Sequence, residues 1–270
     1  MSKIEKAVER AKQMRHAAYE EGRFPASVET PNLRESIQFY TRTKMVVPDR
    51  SHLEKHRVIP FLDDPTIIDR YNILRTQLLN RTRDKGHNAI MITSVLDGEG
   101  KTITAINMAV SIAREVKQTV LLVEADLRNP KIDKYLGCNV GTGLSDYLQG
   151  DVPVSDLLVN PGFAKMIVLP GGRPIADSTE FMGSPKMEQL VKEMKTRYPD
   201  RYVLFNCPPL LSVADPMIFA SYVDGIILVV EAGRTPRDQI RAAIGLLEGR
   251  NIVGLVLNKA EGSDLAYYSS

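Results

Sequence analysis

Thr93-Ser-Val-Leu-Asp-Gly-Glu-Gly-Lys-Thr102 follows the apolar run Ala89–Ile92 and precedes the helix-like stretch Ile103–Arg114. A strand, a glycine-bearing turn and a helix opening on Lys-Thr make a phosphate-binding loop of the nucleoside triphosphatase kind. Gly98 and Gly100 let the backbone curl so that successive N–H groups, at the positive end of a helix, face phosphate oxygens. Asp97, Gly98, Glu99, Gly100, Lys101, Thr102 and Ile103 are therefore the expected nucleotide-binding residues. Lys101 reaches the β- and γ-phosphates, and the Thr102 hydroxyl takes a position on Mg2+. The full pattern asks for a glycine six residues before the lysine, where Val95 stands.

The 270 residues suffice for one large α/β domain with an appendage. Hydrophobic content of 43% and charged content of 25% are those of an ordinary globular protein. A net charge of +2 argues against nucleic acid as a general partner. No apolar run is long enough to span a bilayer, and the N-terminus mixes acids with bases, unlike a secretory signal. Cys138 and Cys207 are not spaced as metal ligands and suit a reducing compartment, so a cytoplasmic protein is expected.

Ile4, Ala7, Val8, Ala11 and Met14 recur at helical spacing, which predicts an amphipathic helix that docks on its own domain or on a partner. Residues 21–65 carry Pro25, Pro31, Pro48, Pro60 and Pro65 without a sustained period and read as an extended connector. Ile67, Ile68, Tyr71, Leu74 and Leu78 mark another helix. From Ala89 onward, strands expected at Ala89–Thr93, Val120–Ala125, Met166–Leu169, Tyr202–Phe205, Gly225–Val230 and Val253–Leu257 alternate with helices at Lys101–Glu115, Pro185–Tyr198, Pro216–Tyr222 and Pro236–Glu248. Runs such as Ile-Ile-Leu-Val-Val lack polar alternation, as expected when helices cover both faces of a sheet. The pattern predicts an α/β fold, a doubly wound and mostly parallel sheet with its ligand at the carboxyl edge. Three regions follow: an appendage over 1–65, a nucleotide-binding domain over 66–260 and a tail over 261–270.

Mg2+ at a phosphate loop needs carboxylates at the ends of neighbouring strands. One strand ends in Glu124-Ala-Asp126-Leu-Arg128, and alternation places Glu124 and Asp126 on one side. Arg128 follows, in position to offset their repulsion or to touch phosphate. A second strand end, Tyr202-Val-Leu-Phe-Asn206-Cys-Pro-Pro, has the Walker B form with asparagine in the place of aspartate. Asn206 can accept a hydrogen bond from a metal-bound water but removes a negative charge, and a unit charge pair at about 4 Å is worth about 4 kcal/mol at an effective dielectric of about 20. The last strand ends in Asn258, which either hydrogen-bonds a purine edge or caps a turn.

With Gly98-Glu-Gly-Lys-Thr102, Glu124-Ala-Asp-Leu-Arg-Asn-Pro130 and Asn206-Cys-Pro-Pro209 in view, the chain resembles the bacterial tyrosine autokinases of capsule and exopolysaccharide export, including those of exosortase loci. The resemblance covers roughly residues 66–260 and extends to Leu169-Pro-Gly-Gly-Arg-Pro and Met182-Gly-Ser-Pro-Lys. It implies a phosphate-loop fold related to the plasmid-partitioning and septum-positioning ATPases, with ATP and Mg2+ as cofactors. It also implies phosphotransfer to tyrosines of the kinase's own tail, here Tyr267 and Tyr268, under a membrane co-polymerase that holds the kinase at the inner membrane face. By position, Lys101 and Thr102 belong to Walker A. Glu124 stands where an acid helps deprotonate the acceptor tyrosine, Asp126 where one holds magnesium, and Asn258 where adenine is contacted. The chain departs from the pattern at Glu124 and Asn206, both aspartate in the family, and at Asn72, where the ring-forming helix of relatives carries an arginine. Asparagine does not replace that bidentate donor, which weakens the expectation of a homo-oligomer.

Lys101, Glu124 and Asp126 are thus the expected catalytic groups, and Thr102, Asp126 and Asn206 (through water) the expected metal partners. The leading expectation is an active tyrosine kinase regulating polysaccharide polymerisation and export. The alternative is an ATP-binding regulator of the same system with weakened turnover, favoured by Asn206. A partitioning-type ATPase is disfavoured, because Val95, Leu96 and Asp97 supply no early lysine.

Overall fold

The computed structural model describes residues 43–59, 61–150, 152–198 and 200–260. The expected N-terminal helix, most of the connector and the tail tyrosines Tyr267 and Tyr268 lie outside the described residues. Strands β1 (Lys44–Met45), β2 (Ala89–Ser94), β3 (Thr119–Glu124), β4 (Val159–Asn160), β5 (Met166–Leu169), β6 (Arg201–Asn206), β7 (Gly225–Glu231) and β8 (Ile252–Asn258) form one sheet in the order β1-β4-β5-β3-β6-β2-β7-β8. Every pairing is parallel except β4 with β5. The sheet is the doubly wound, mostly parallel one that the alternating elements predict.

Both sheet faces are apolar because successive residues point to opposite sides. Ile90 and Ile92 on β2, with Leu122 and Leu204, join the core beneath α2 (Pro65–Thr82) and α3 (Lys101–Ala113). Ala89 and Met91, with Val123, Phe205 and Leu228, join the opposite core, under α8 (Pro185–Thr196), α9 (Asp215–Phe219) and α10 (Arg237–Gly245). Helix α3 is buried along almost its whole length, which its run of Ala, Ile, Met and Val permits. Helix α2 starts where Asp64 accepts from the Thr66 and Ile67 amides and Pro65 occupies the first turn. Helix α8 starts in the same way, with the Ser184 hydroxyl accepting from Met187 N at 3.2 Å ahead of Pro185.

The connector expectation for the residues just before α2 is corrected. Strand β1 pairs with β4, and helix α1 (Arg50–Lys55) follows behind an Asp49 cap. Leu53, Val58, Ile59 and Phe61 are buried in the α2–α3 core. Ile59 N donates to Asn107 Oδ1 at 3.0 Å and Asn107 Nδ2 donates to Arg57 O at 3.0 Å, which stitches the segment onto α3. These apolar residues have neither helical nor strand period, so only the tertiary contact reveals them. Four short helices were also illegible: α4 (Ile132–Tyr135), α5 (Leu144–Gln149), α6 (Val154–Leu157) and α7 (Ser178–Met182).

Leu53→Ala is expected to cost about 2–5 kcal/mol, the range for deleting a fully buried leucine. Equilibrium urea unfolding checks it. A loss under about 0.5 kcal/mol, the usual size for a surface substitution, would return this segment to the status of a loose connector.

Candidate active site

The site is built at the carboxyl ends of β2, β3 and β6. Gly98 and Gly100 have φ of 82° and 95°, backbone values that L side chains rarely adopt. At Gly100 there is a second reason: a Cβ would lie 2.1 Å from Asn258 Nδ2. The turn delivers Lys101 to the first position of α3, so the first amides of that helix have no helical partner and are free to face an anion.

The loop is braced by residues of the same and neighbouring strand ends. Glu99 is 1% exposed; its Oε2 accepts from Leu96 N at 2.8 Å and its Oε1 accepts from the Thr235 hydroxyl. Asn258 Nδ2 donates to Glu99 O at 2.8 Å, and Lys259 Nζ donates to Gly98 O at 2.9 Å. Asn258, expected at the purine or at a turn, therefore ties the loop backbone to the end of β8. Thr235 and Lys259 escaped sequence reasoning. Lys259 adjoins Asn258 in sequence and was within reach of it, whereas nothing local pairs Thr235 with Glu99.

Lys101 and Asp126 come together as expected, with Nζ 3.1 Å from Oδ2 and both side chains about 5% exposed. The exposed Asp97 carboxylate stands 3.8 Å from the same ammonium. Asp126 also accepts from Asn129 N at 3.1 Å. Arg128, expected at phosphate, is drawn elsewhere. Its Nε is 3.5 Å from the buried Asp215 carboxylate, and an Nη donates to Thr179 Oγ1 at 3.0 Å. Ile103 is a half-buried residue packed against the α2–α3 core.

Glu124 is fully buried. Its Oε2 accepts from Lys131 N and Ile132 N at 2.8 and 2.9 Å, and its Oε1 accepts from Asp126 N at 3.2 Å and Asn206 Nδ2 at 2.7 Å. Burial pushes its pKa up to about 7; the neighbouring Asp126 adds to the rise, while the Lys131 and Ile132 amides and Asn206 oppose it. A base for an incoming tyrosine hydroxyl must be reachable, and a carboxylate enclosed in this way is not. Asp126, 4% exposed and paired with Lys101, is the less enclosed of the two acids.

Asn206 Nδ2 also lies 3.3 Å from Thr102 Oγ1, while Asn206 Oδ1 is buried with no partner among the described residues. That orphan acceptor beside the Thr102 hydroxyl suits a donor held by a bound group, as a metal-bound water would be. Among the described residues there is no cluster of three or more His, Cys, Asp or Glu fit to hold a metal by itself.

No protein-family model matches the chain. Tyrosine-protein kinase CpsD of Streptococcus agalactiae is 30% identical over 200 residues, covering 73% of this chain and 85% of that protein. Succinoglycan biosynthesis transport protein ExoP of Rhizobium meliloti is 33% identical over 185 residues, or 67% of this chain and 23% of ExoP. The kinase domain of the Escherichia coli tyrosine kinase ETK superposes with a TM-score of 0.69 at 27% identity, covering 76% of this chain and 81% of that one.

Glu124 carries a pH signature. An acid whose pKa rises from 4.5 when unfolded to about 7 when folded is more easily kept neutral in the fold. It therefore imposes no cost below pH 4.5 and a growing one up to about pH 7, on the order of 3 kcal/mol once ionised. Nucleotide-free protein should lose melting temperature between pH 5 and 8 more steeply than its E124Q variant, by differential scanning fluorimetry; parallel curves would refute the assignment.

The chain belongs to the family of bacterial tyrosine-protein kinases.

Proposed function

We propose that the protein is an ATP-dependent protein-tyrosine autokinase acting on Tyr267 and Tyr268 of its own kind, in a system that builds and exports an exopolysaccharide. The observation that carries this reading is the buried Lys101–Asp126 pair at the head of α3, next to the Thr102 hydroxyl. A nucleotide phosphate entering the loop offers Lys101 a stronger partner, and Asp126 is then free to accept a hydrogen bond from a tyrosine hydroxyl. Mg2+, held by Thr102 and by water on Asn206, would neutralise charge on the transferring phosphoryl group. Lys101 and the loop amides supply the rest of that neutralisation, and transfer depends mainly on positioning.

The name of one relative supports a membrane partner. The matched region takes up less than a quarter of ExoP, named as a transport protein, whereas CpsD is nearly matched in length. Among the described residues no helix is long and apolar enough to cross a membrane. In this reading a membrane co-polymerase activates the kinase and holds it at the inner membrane face. Self-association through α2 is a weaker element of the reading. Asn72 Oδ1 accepts from Ser111 Oγ at 3.3 Å and Arg75 donates to Ser111 O at 3.0 Å, so both turn to their own α3. The alternative, a nucleotide-gated regulator with little transfer, draws on the same Asn206 but has no better support.

Incubation with MgATP and the membrane activator should place phosphate on Tyr267 or Tyr268, read by mass spectrometry of the tail. Lys101→Ala should reduce it by at least about a hundredfold, since the ammonium acts on the phosphoryl oxygens throughout transfer. An unmodified tail in the presence of the activator and bound nucleotide would favour the regulator.

A further inference from the structure

Glu124 and Asn206 are directly opposed Cα partners of β3 and β6, and both are fully buried. Asn206 Nδ2 reaches Glu124 Oε1 at 2.7 Å on one side and Thr102 Oγ1 at 3.3 Å on the other. The Lys131 and Ile132 amides hold the far carboxylate oxygen, and Gly171 closes over the stem so tightly that a Cβ there would lie 2.8 Å from Glu124 Cγ. The glutamate is therefore fixed in one place, one amide group away from the Thr102 hydroxyl. The two acids of the strand end are not equivalent. Without nucleotide Asp126 is paired with Lys101, whereas Glu124 makes no ion pair among the described residues.

We propose that the cation-side negative charge of this nucleotide site is supplied by Glu124 at the end of β3, with Asn206 on β6 as the neutral strap that positions it. This rests on the nucleotide reading given above. The longer arm of glutamate and the loss of charge at 206 then become one feature: the charge sits across the sheet from where a Walker B acid would carry it. The pair tolerates one carboxylate and not two. An acid at 206 would replace a donor facing Glu124 with a second acceptor, setting like charges against each other in a buried space. Asn206→Asp is thus expected to harm the site, although by itself it restores the usual residue.

The test uses the full chain at pH 8 with ADP, so that turnover plays no part. ADP affinity is measured by calorimetry with Mg2+ and with EDTA, and melting temperature is measured without nucleotide. Wild type should bind ADP about tenfold or more tightly with Mg2+, the size expected of one nearby charge. E124Q should lose most of that enhancement. N206D should melt lower than wild type and gain no enhancement. The double variant E124Q/N206D, which moves the charge to β6, should regain both the melting temperature lost in N206D and the Mg2+ enhancement lost in E124Q. Rescue by relocation is something a merely structural role for either residue would not give. Full Mg2+ enhancement in E124Q, or a double variant no better than E124Q, would overturn the proposal while leaving nucleotide binding intact. Absence of ADP binding by wild type would instead sink the nucleotide reading beneath it.

Discussion

Parallel pairing of β3 with β6, and of β6 with β2, is the constraint on which the site depends. Register sets Glu124 opposite Asn206 and Asn206 opposite Ile92, so three strands end together on one edge. Two apolar cores hold that register, since a slip of one residue would turn each buried face toward the other core. The polar groups that leave the strands therefore emerge side by side, just where β2 gives way to the glycine turn. Lys101 meets Asp126, and Thr102 meets Asn206, because helix and strands share that edge.

The loop is prepared before any ligand arrives. Glu99 ties its two ends together, Asn258 and Lys259 hold its carbonyls from β8, and Gly100 supplies the backbone angle and the space for Asn258. A loop so braced loses little further freedom when it closes on an anion. The energetic burden falls on the buried acids instead. Asp126 is offset by Lys101, and Glu124 by four hydrogen-bond donors that leave its pKa raised all the same. Strain of that kind is characteristic of sites whose charges are meant to meet something else.

Residues 44–61 show how the domain closes over α3. A two-residue strand and a short helix carry too few local bonds to stand alone, yet Leu53, Val58, Ile59 and Phe61 are buried as fully as the central strands. Reciprocal hydrogen bonds with Asn107 fix them to the middle of the helix that bears Lys101 and Thr102 in its first turn. The placement of α3, and with it the phosphate loop, is thus supported from a segment more than forty residues upstream.

Local chemistry was enough for the parallel α/β sheet, the strand–loop–helix unit and the roster of polar strand ends. Apolar runs without alternation demand cover on both faces, and a Gly-x-Gly-Lys-Thr turn between strand and helix has few other uses. Short-range pattern could not reach the rest. Asn258 and Thr235 lie well over a hundred residues from the Glu99 they contact, Arg128 turns to a carboxylate on α9, and the buried connector has no period to read. Above all, sequence supplied Glu124 and Asn206 as two separate departures from a motif. Folding made them one hydrogen-bonded pair, because only the pairing of two strands distant in the chain decides which side chains share a buried space.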